Sequence, residues 1–289
     1  MSLLVIDIGG SSVKSAIFQP ELQDFKKFTS PSTLEEMKAN MHQLISYYQD
    51  KYQLTGISFS VPGIPDQESG YVKGASSLHY IHEFNFKEYF KTKYQLPIFF
   101  ENDANCACKA EVFMGSAKGV DSALFVVIGT GIGGAIFLDG EIQPGFHNFG
   151  GEFGMMLIDG RHEWSELGSA VHMARKFSQL KQKEYTGEQV IQLGEQGEDL
   201  EAVKACESLY HYLALGLYNL QYVIDPACII LSGGITQHPQ LLANIERKLA
   251  EIMNYGQRCP VKPKLVKAQF GNDANLIGAG LVATQGLKK

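Results

Sequence analysis

Hydrophobic positions along this chain recur first at strand spacing, then at helix spacing, and the switches between the two mark its elements. Leu3–Ile8 is a short apolar run rich in branched residues, the pattern of a buried strand. Gly9-Gly10-Ser11-Ser12 interrupts it and Val13–Phe18 resumes it, so the opening reads as a β-hairpin. From Leu34 to Tyr48 the period becomes helical, through Leu34, Met37, Met41, Leu44, Ile45 and Tyr48. Ser32 or Thr33 is the N-cap, with Glu35 and Glu36 in the first turn. Gly56–Val61 reads as a strand ending at Pro62-Gly63. Leu96–Phe100 is another, ending at Glu101-Asn102-Asp103 ahead of a helix from Ala104 to about Met114. Strands at Ser122–Ile128 and Ala135–Leu138 flank Gly129-Thr130-Gly131-Ile132-Gly133-Gly134. Helices are predicted over Glu166–Leu180 and Leu200–Val223. A strand at Ala227–Ser232 runs through Gly233-Gly234 towards a helix from about Pro239 to Met253, and a last helix starts near Asn275.

Strand, glycine turn, strand therefore occurs twice, at Leu3–Phe18 and at Ser122–Leu138. Two copies of a hairpin-led α/β unit predict two similar lobes with a cleft between them. The length, 289 residues, approaches the size at which single cores stop growing and favours the same division.

Composition narrows the function classes. With 45% hydrophobic and 19% charged residues, the chain is neither disordered nor collagen-like. A formal charge of −6 offers no broad basic face for nucleic acid, so an anionic ligand has to be held by local backbone N–H groups. Cys106, Cys108, Cys206, Cys228 and Cys259 form no paired CxxC knuckles, which excludes a disulfide scaffold and a four-cysteine zinc site. The opening MSLLVIDIGG has no basic n-region, and no apolar run approaches 18 residues. The expectation is a reduced, cytoplasmic protein with no membrane partner.

The glycine loops carry the candidate chemistry. Gly129–Gly134 satisfies GxGxxG after a strand, but a dinucleotide fold needs a helix next, and Ala135–Leu138 reads as a strand. The loop is better read as a hairpin turn whose N–H groups form an anion nest. Asp7-Ile8-Gly9-Gly10-Ser11-Ser12-Val13-Lys14 follows the same logic with an acid added. Two glycines admit a phosphate, two hydroxyls and Lys14 add donors and charge, and Asp7 can hold Mg²⁺ through water. Taken alone, it is equally a tight turn with an acid before it. Gly233-Gly234 is a third such loop, open to a reading as close packing.

In this order, DIGGSSVKSAIF, FFENDANCACKAEVFMG, VIGTGIGGAIFLDG, GGEFG, SELGSA and IILSGGI resemble a ROK-family sugar kinase of the actin-like ATPase superfamily. The resemblance implies an actin-like, ribonuclease H-like two-lobed α/β ATPase fold. Residues 1–118, joined by a C-terminal helix at about 275–289, would form one lobe and residues 119–274 the other. It implies ATP and Mg²⁺ as cofactors, a sugar as the small-molecule partner, and a homodimer. Asp7, Gly9, Gly10, Ser11, Ser12 and Lys14 then form the first phosphate segment, with Asp7 the Mg²⁺ contact. Thr130, Gly131 and Gly133 belong to the second, and Gly233 and Gly234 to the adenosine segment. ATP would lie between the lobes with the sugar deeper in the cleft.

Phosphorylating an alcohol needs a positioned carboxylate to take the hydroxyl proton. Asp103 ends a strand and opens a helix, which from the residues alone also suits an N-cap. The resemblance makes it the general base. Asn272-Asp273-Ala274-Asn275 repeats Asn102-Asp103-Ala104-Asn105 letter for letter, and there Asp273 is expected only to cap a helix. By the same resemblance Asn102, Glu152 and Glu166 bind sugar hydroxyls. Two departures bear on this. Met155 stands where many members carry a zinc-binding His, and no cysteine lies between Cys108 and Cys206, so no zinc site is expected. Ser77 lies near the place of an Asn that commonly contacts sugar, and His147 and His162 receive no role. Trp164, the chain's single tryptophan, would report on the sugar loop unless it is a core anchor.

The function implied is ATP-dependent phosphorylation of a hexose or hexose derivative, with glucose, N-acetylmannosamine and a β-glucoside as candidates. The alternative is a non-catalytic sugar-binding regulator of the same family. Such a regulator needs a helix-turn-helix before the first phosphate loop, where six residues precede Asp7.

Overall fold

The computed structural model describes residues 2–74, 76–256 and 260–288. The chain divides into two compact units, Met1–Phe113 with Asn272–Lys289, and Met114–Gly271. In the first, the opening run forms β1 (Ser2–Ile8), which turns into β2 (Ser12–Phe18) and β3 (Leu22–Thr29). There follow α1 (Leu34–Lys51), β4 (Leu54–Val61) and the short hairpin β5 (Ile64–Pro65) and β6 (Val72–Lys73). Helix α2 (Phe86–Tyr94), β7 (Ile98–Asn102) and α3 (Asp103–Phe113) complete the segment. Five strands form one sheet in the order β3-β2-β1-β4-β7, antiparallel from β3 to β1 and parallel from β1 to β7.

Side chains of a strand alternate between faces, and β1 shows what each face meets. Leu4, Ile6 and Ile8 pack with Met37, Met41, Ile45 and Tyr48 of α1 and Phe90 of α2 in one core. Thr33 proves to be the N-cap of α1, accepting from the Glu36 N–H. Asp7 lies on the opposite face of the strand from Ile6 and Ile8.

The second unit repeats this plan. Strands β8 (Ser122–Ile128), β9 (Ile132–Leu138) and β10 (Glu141–Ile142) are followed by α4 (Trp164–Leu167), α5 (Ala170–Lys181), α6 (Gly187–Gln196) and α7 (Leu200–Ile224). Then come β11 (Cys228–Ser232), α8 (Leu241–Gly256) and β12 (Leu265–Lys267). The sheet order β10-β9-β8-β11-β12 matches that of the first unit strand for strand, with the same parallel and antiparallel neighbours. The chain then closes the first unit with α9 (Ala274–Gly286), which packs on α3, β1, β4 and β7.

Two expectations are corrected. The helix predicted over Glu166–Leu180 is two helices, α4 and α5, broken at Gly168-Ser169, where Ser169 caps α5 by accepting from the Val171 N–H. The Gly233-Gly234 turn leads towards a helix, as expected. A 3₁₀ turn over Gly234–Gln237 intervenes, and α8 begins at Leu241. Asp273 occupies the N-cap position of α9 but makes no capping hydrogen bond through its side chain. Of the five cysteines, Cys259 lies outside the described residues, and the other four are buried free thiols. Among the described residues, no helix is long and apolar enough to cross a membrane.

Trp164 is a core anchor. It is fully buried, its indole N–H donates to the Tyr212 carbonyl at 2.9 Å, and its ring lies on Gly216 of α7. A Cβ at Gly216 would come within 2.1 Å of the indole. Overpacking of this kind costs about 1–3 kcal/mol, more than the helix-propensity gain of about 1 kcal/mol from glycine to alanine. Gly216→Ala is therefore expected to lower the urea midpoint and to shift the Trp164 emission. Unchanged stability with unchanged emission would contradict this packing.

Candidate active site

In the first unit, the parallel register sets Asp7 opposite Ser60 and Ser60 opposite Glu101, with Val61 opposite Asn102. At a spacing of about 4.8 Å between strands, this brings Asp7, Ser60 and the Glu101-Asn102-Asp103 segment together at the carboxyl ends of three parallel strands. That edge is where open α/β sheets bind ligands. Cys106 reports the same clustering from one turn along α3. Burial pushes its thiol well above the usual range, and the charges of Glu101, Asp7 and Asp103 push it further.

Asp7 is buried, and burial raises its carboxyl above the ordinary range despite hydrogen bonds from Asn275 and Ser60 and the attraction of Lys14, its cross-strand partner. Both hydrogen bonds end on one oxygen. Oδ1 accepts from Ser60 Oγ at 2.9 Å and from Asn275 Nδ2 at 3.0 Å, while Oδ2 has no hydrogen-bond partner among the described residues. Such a donor set suits a water-shelled Mg²⁺, which is held by one or two carboxylates together with substrate phosphates. Among the described residues, no cluster of three or more His, Cys, Asp or Glu forms a dedicated metal cage. The turn after β1 is pinned by Ser30, whose hydroxyl donates to the Gly9 carbonyl and whose N–H donates to the Ser11 carbonyl. Gly10 and Ser11 are exposed at its tip, and Ser77 lies against Gly10.

The start of α3 is more tightly built than the sequence suggested. Asn102, not Asp103, supplies the helix cap, its Oδ1 accepting from the Asn105 N–H at 3.1 Å. Its Nδ2 donates to the Gly63 carbonyl at 2.9 Å, so both side-chain polar atoms already have protein partners. Glu101 Oε1 accepts from the Asn102 N–H and from Asn105 Nδ2. Glu101, Asn105 and Ser60 are parts of the site that sequence reasoning missed. The repeated Asn-Asp-Ala-Asn motif was the available signal for Asn105. Asp103 sits in the first turn of α3, where its Oδ1 accepts from the Ala104 N–H at 2.8 Å.

In the second unit, the turn Gly129–Gly131 is held from below by two serines four residues apart. Ser165 Oγ accepts from the Ile132 N–H at 2.9 Å, and buried Ser169 donates to the Gly129 and Thr130 carbonyls. The Gly150–Gly154 segment packs on the same strand, with Phe153 against Gly134. Glu152 is exposed beside it, while Glu166 lines a separate cavity of about 300 Å³ with Phe177, Lys176 and Lys204. The structure thus joins Glu152 with the glycine turn through the Gly150–Gly154 segment but gives Glu166 other neighbours. His162 pairs with Asp159 at 2.8 Å, and Met155 is exposed.

The turns at Gly129 and Gly234 meet at a cavity of about 430 Å³, lined also by Val171, Gly187, Ile191 and Gln237. The paired glycines differ in purpose. Gly233 has φ +99°, and a Cβ there would come within 2.1 Å of the Ile128 carbonyl, so its backbone requires glycine. Gly234 has nothing within 4 Å of its Cβ position and leaves the cavity mouth open.

A ROK family model matches residues 3–286, nearly the whole chain. The protein belongs to the ROK family. A ROK family protein from Streptococcus pneumoniae TIGR4, solved in complex with sucrose, is 34% identical and superposes with a TM-score of 0.91, covering 100% of this chain and 99% of that one. A β-glucoside kinase of Listeria monocytogenes is 28% identical over 289 residues, 96% of each chain. A xylose repressor of Bacillus subtilis is 27% identical over 263 residues, which are 87% of this chain and 64% of the repressor. The ROK assignment carries the actin-like, ribonuclease H-like α/β fold, whose duplicated sheets are those described above.

The raised Asp7 carboxyl gives this ROK protein a pH-dependent weakness. A group whose folded-state pKa lies above its unfolded value stabilises the fold fully below the unfolded value, and that contribution is lost as pH rises through the folded one. Asp7→Asn removes the charge and keeps an oxygen to accept both hydrogen bonds. In metal-free buffer the variant is expected to melt higher than wild type at neutral pH, with the gain shrinking as pH falls into the ordinary carboxylate range. A gain that grew on acidification would contradict the assignment.

Proposed function

We propose that this protein phosphorylates a hexose or hexose derivative, with ATP as donor and Mg²⁺ as the accompanying cation. The observation that carries the reading is the gathering of Asp7 and Asp103 at the carboxyl edge of one parallel sheet. Asp103 takes the proton from the attacking sugar hydroxyl as its oxygen bonds to the γ-phosphorus and ADP departs. Asp7, through Oδ2, would hold a hydrated Mg²⁺, which would supply positive charge against that of the phosphates. The exposed turn at Gly9, Gly10, Ser11 and Ser12, with Lys14, and the turn at Thr130, Gly131 and Gly133 supply N–H and side-chain donors to the phosphates. The cavity at Gly234 takes the nucleoside, with Gly233 shaping its wall. Asn102 keeps one amide hydrogen for a sugar hydroxyl, and Glu152 and Glu166 are the carboxylates that would accept from the sugar's diols. The β-glucoside kinase relative and the sucrose complex of the pneumococcal protein put β-glucosides and disaccharides on the panel beside glucose and N-acetylmannosamine. We read the protein as a cytoplasmic homodimer.

The match to a xylose repressor sustains a second reading, a regulator that binds sugar without turnover. ADP release measured across a panel of sugars with Mg-ATP separates the two, since a regulator binds a sugar and releases no ADP. For a kinase, Asp103→Asn is expected to lower kcat by on the order of 10²–10⁴ with sugar binding retained, and Asp273→Asn to stay near wild type. The reverse pattern would move the base to the second copy of the motif. Elemental analysis is expected to find no stoichiometric zinc, because Met155 and the cysteine-free stretch before Glu166 leave too few ligands for the usual four. One zinc per chain would contradict this and point to His147 and His162.

A further inference from the structure

The second Asn-Asp-Ala-Asn motif has no part in the chemistry above, yet its last residue repeats a contact of the first. In the first copy, the last Asn donates its amide to a carboxylate at a strand end, Asn105 Nδ2 to Glu101 Oε1 at 2.9 Å. In the second copy the last Asn does the same across 268 residues of chain, Asn275 Nδ2 to Asp7 Oδ1 at 3.0 Å. The first residue of that copy reaches the same loop, since the Asn272 carbonyl accepts from Lys14 Nζ at 3.4 Å. Asp7 and Lys14 are cross-strand partners, so the motif opening α9 grips both charged residues of the first glycine turn.

The same helix is keyed to the backbone that carries Asp103. A Cβ at Gly278 would lie 1.9 Å from the Cys106 carbonyl, three residues beyond Asp103 in α3, so the two helices touch backbone to backbone. Gly280, half a turn on, lies against Phe18 of β2. The position of α9 along α3 and β2 therefore fixes where Asn275 meets Asp7.

We propose that Asn275 is a positioning residue for the phosphoryl-transfer site. It locks the Asp7 carboxylate by Oδ1 so that Oδ2 faces the Mg²⁺-bound phosphates, while Gly278 sets the α9–α3 contact that keeps Asp7 and Asp103 in step. The inference rests on the kinase reading, and two measurements keep them apart. One is the rise in melting temperature given by Mg²⁺ with ADP over ADP with chelator, which needs no turnover. The other is the Mg²⁺ concentration for half-maximal ADP release at saturating sugar. Loss of a hydrogen bond to a charged group corresponds to a change of about tenfold or more. Asn275→Ala is expected to raise the half-saturating Mg²⁺ about tenfold and to shrink the Mg²⁺-ADP increment, with the KM for sugar unchanged. Asn275→Gln, which keeps the amide donor, should recover part of both. If Asn275→Ala melts lower but keeps the wild-type increment and Mg²⁺ dependence, the residue is only structural and the inference fails. If wild type itself shows no Mg²⁺-dependent increment and no turnover, the kinase reading falls first and takes the inference with it.

Discussion

A carboxylate buried at the end of an apolar strand is the constraint around which the first unit is organised. Burial opposes the charge on Asp7, and in water that cost would not arise. The protein offsets part of it with two donors on one oxygen, and neither is local. Ser60 comes from the neighbouring parallel strand, and Asn275 from a helix at the far end of the chain. A local partner would have had to sit at the turn itself. Long-range partners leave the turn open and require the chain to return, which α9 does by packing on the sheet that contains β1.

The duplicated topology shows how one scaffold serves two purposes. Both units lead with a hairpin whose turn is glycine-rich and pinned by serine hydroxyls, Ser30 in one and Ser165 and Ser169 in the other. The first turn carries an acid and a lysine beside it, the second neither. The first is thus suited to a cation and a phosphate together, and the second to an anion alone, through backbone donors. Divergence between the copies lies in the residues flanking the turn, while the strand order is retained.

What could be read from the sequence follows the range of the forces involved. Runs such as Leu3–Ile8 and Ser122–Ile128 announce buried strands because burial is a property of the run itself. Strand β3, largely exposed with Lys26 and Lys27 on it, carries no such signal and was missed. Helix α6 was missed for a similar reason, although its capping box at Thr186 and Gln189 is visible in the sequence. The break at Gly168-Ser169 had a local sign in the glycine, but the helical period continues across it. It is the Ser169 bonds to the Gly129 and Thr130 carbonyls that fix the break, and these are tertiary. Asn275 was read only as part of a helix start, because its partner lies at the other end of the chain.

The residues of α4 show the limit of that reading at single-residue resolution. Ser165 and Glu166 are neighbours on one short helical turn, and adjacent helical positions point about 100° apart. Ser165 takes the inward direction, under the glycine turn and against Gly154, close to the segment that carries Glu152. Glu166 takes the next direction and lines a cavity with Lys176 and Lys204. The hydroxyl thus holds the backbone of the glycine turn, and the acid after it lies on a different face of the short helix. The two directions are set together, because α4 cannot turn about its axis without moving both side chains. The buried Trp164 at its first position, held by the Tyr212 carbonyl, resists that rotation. The buried anchor at Trp164 thus also decides which of its neighbours faces the glycine turn.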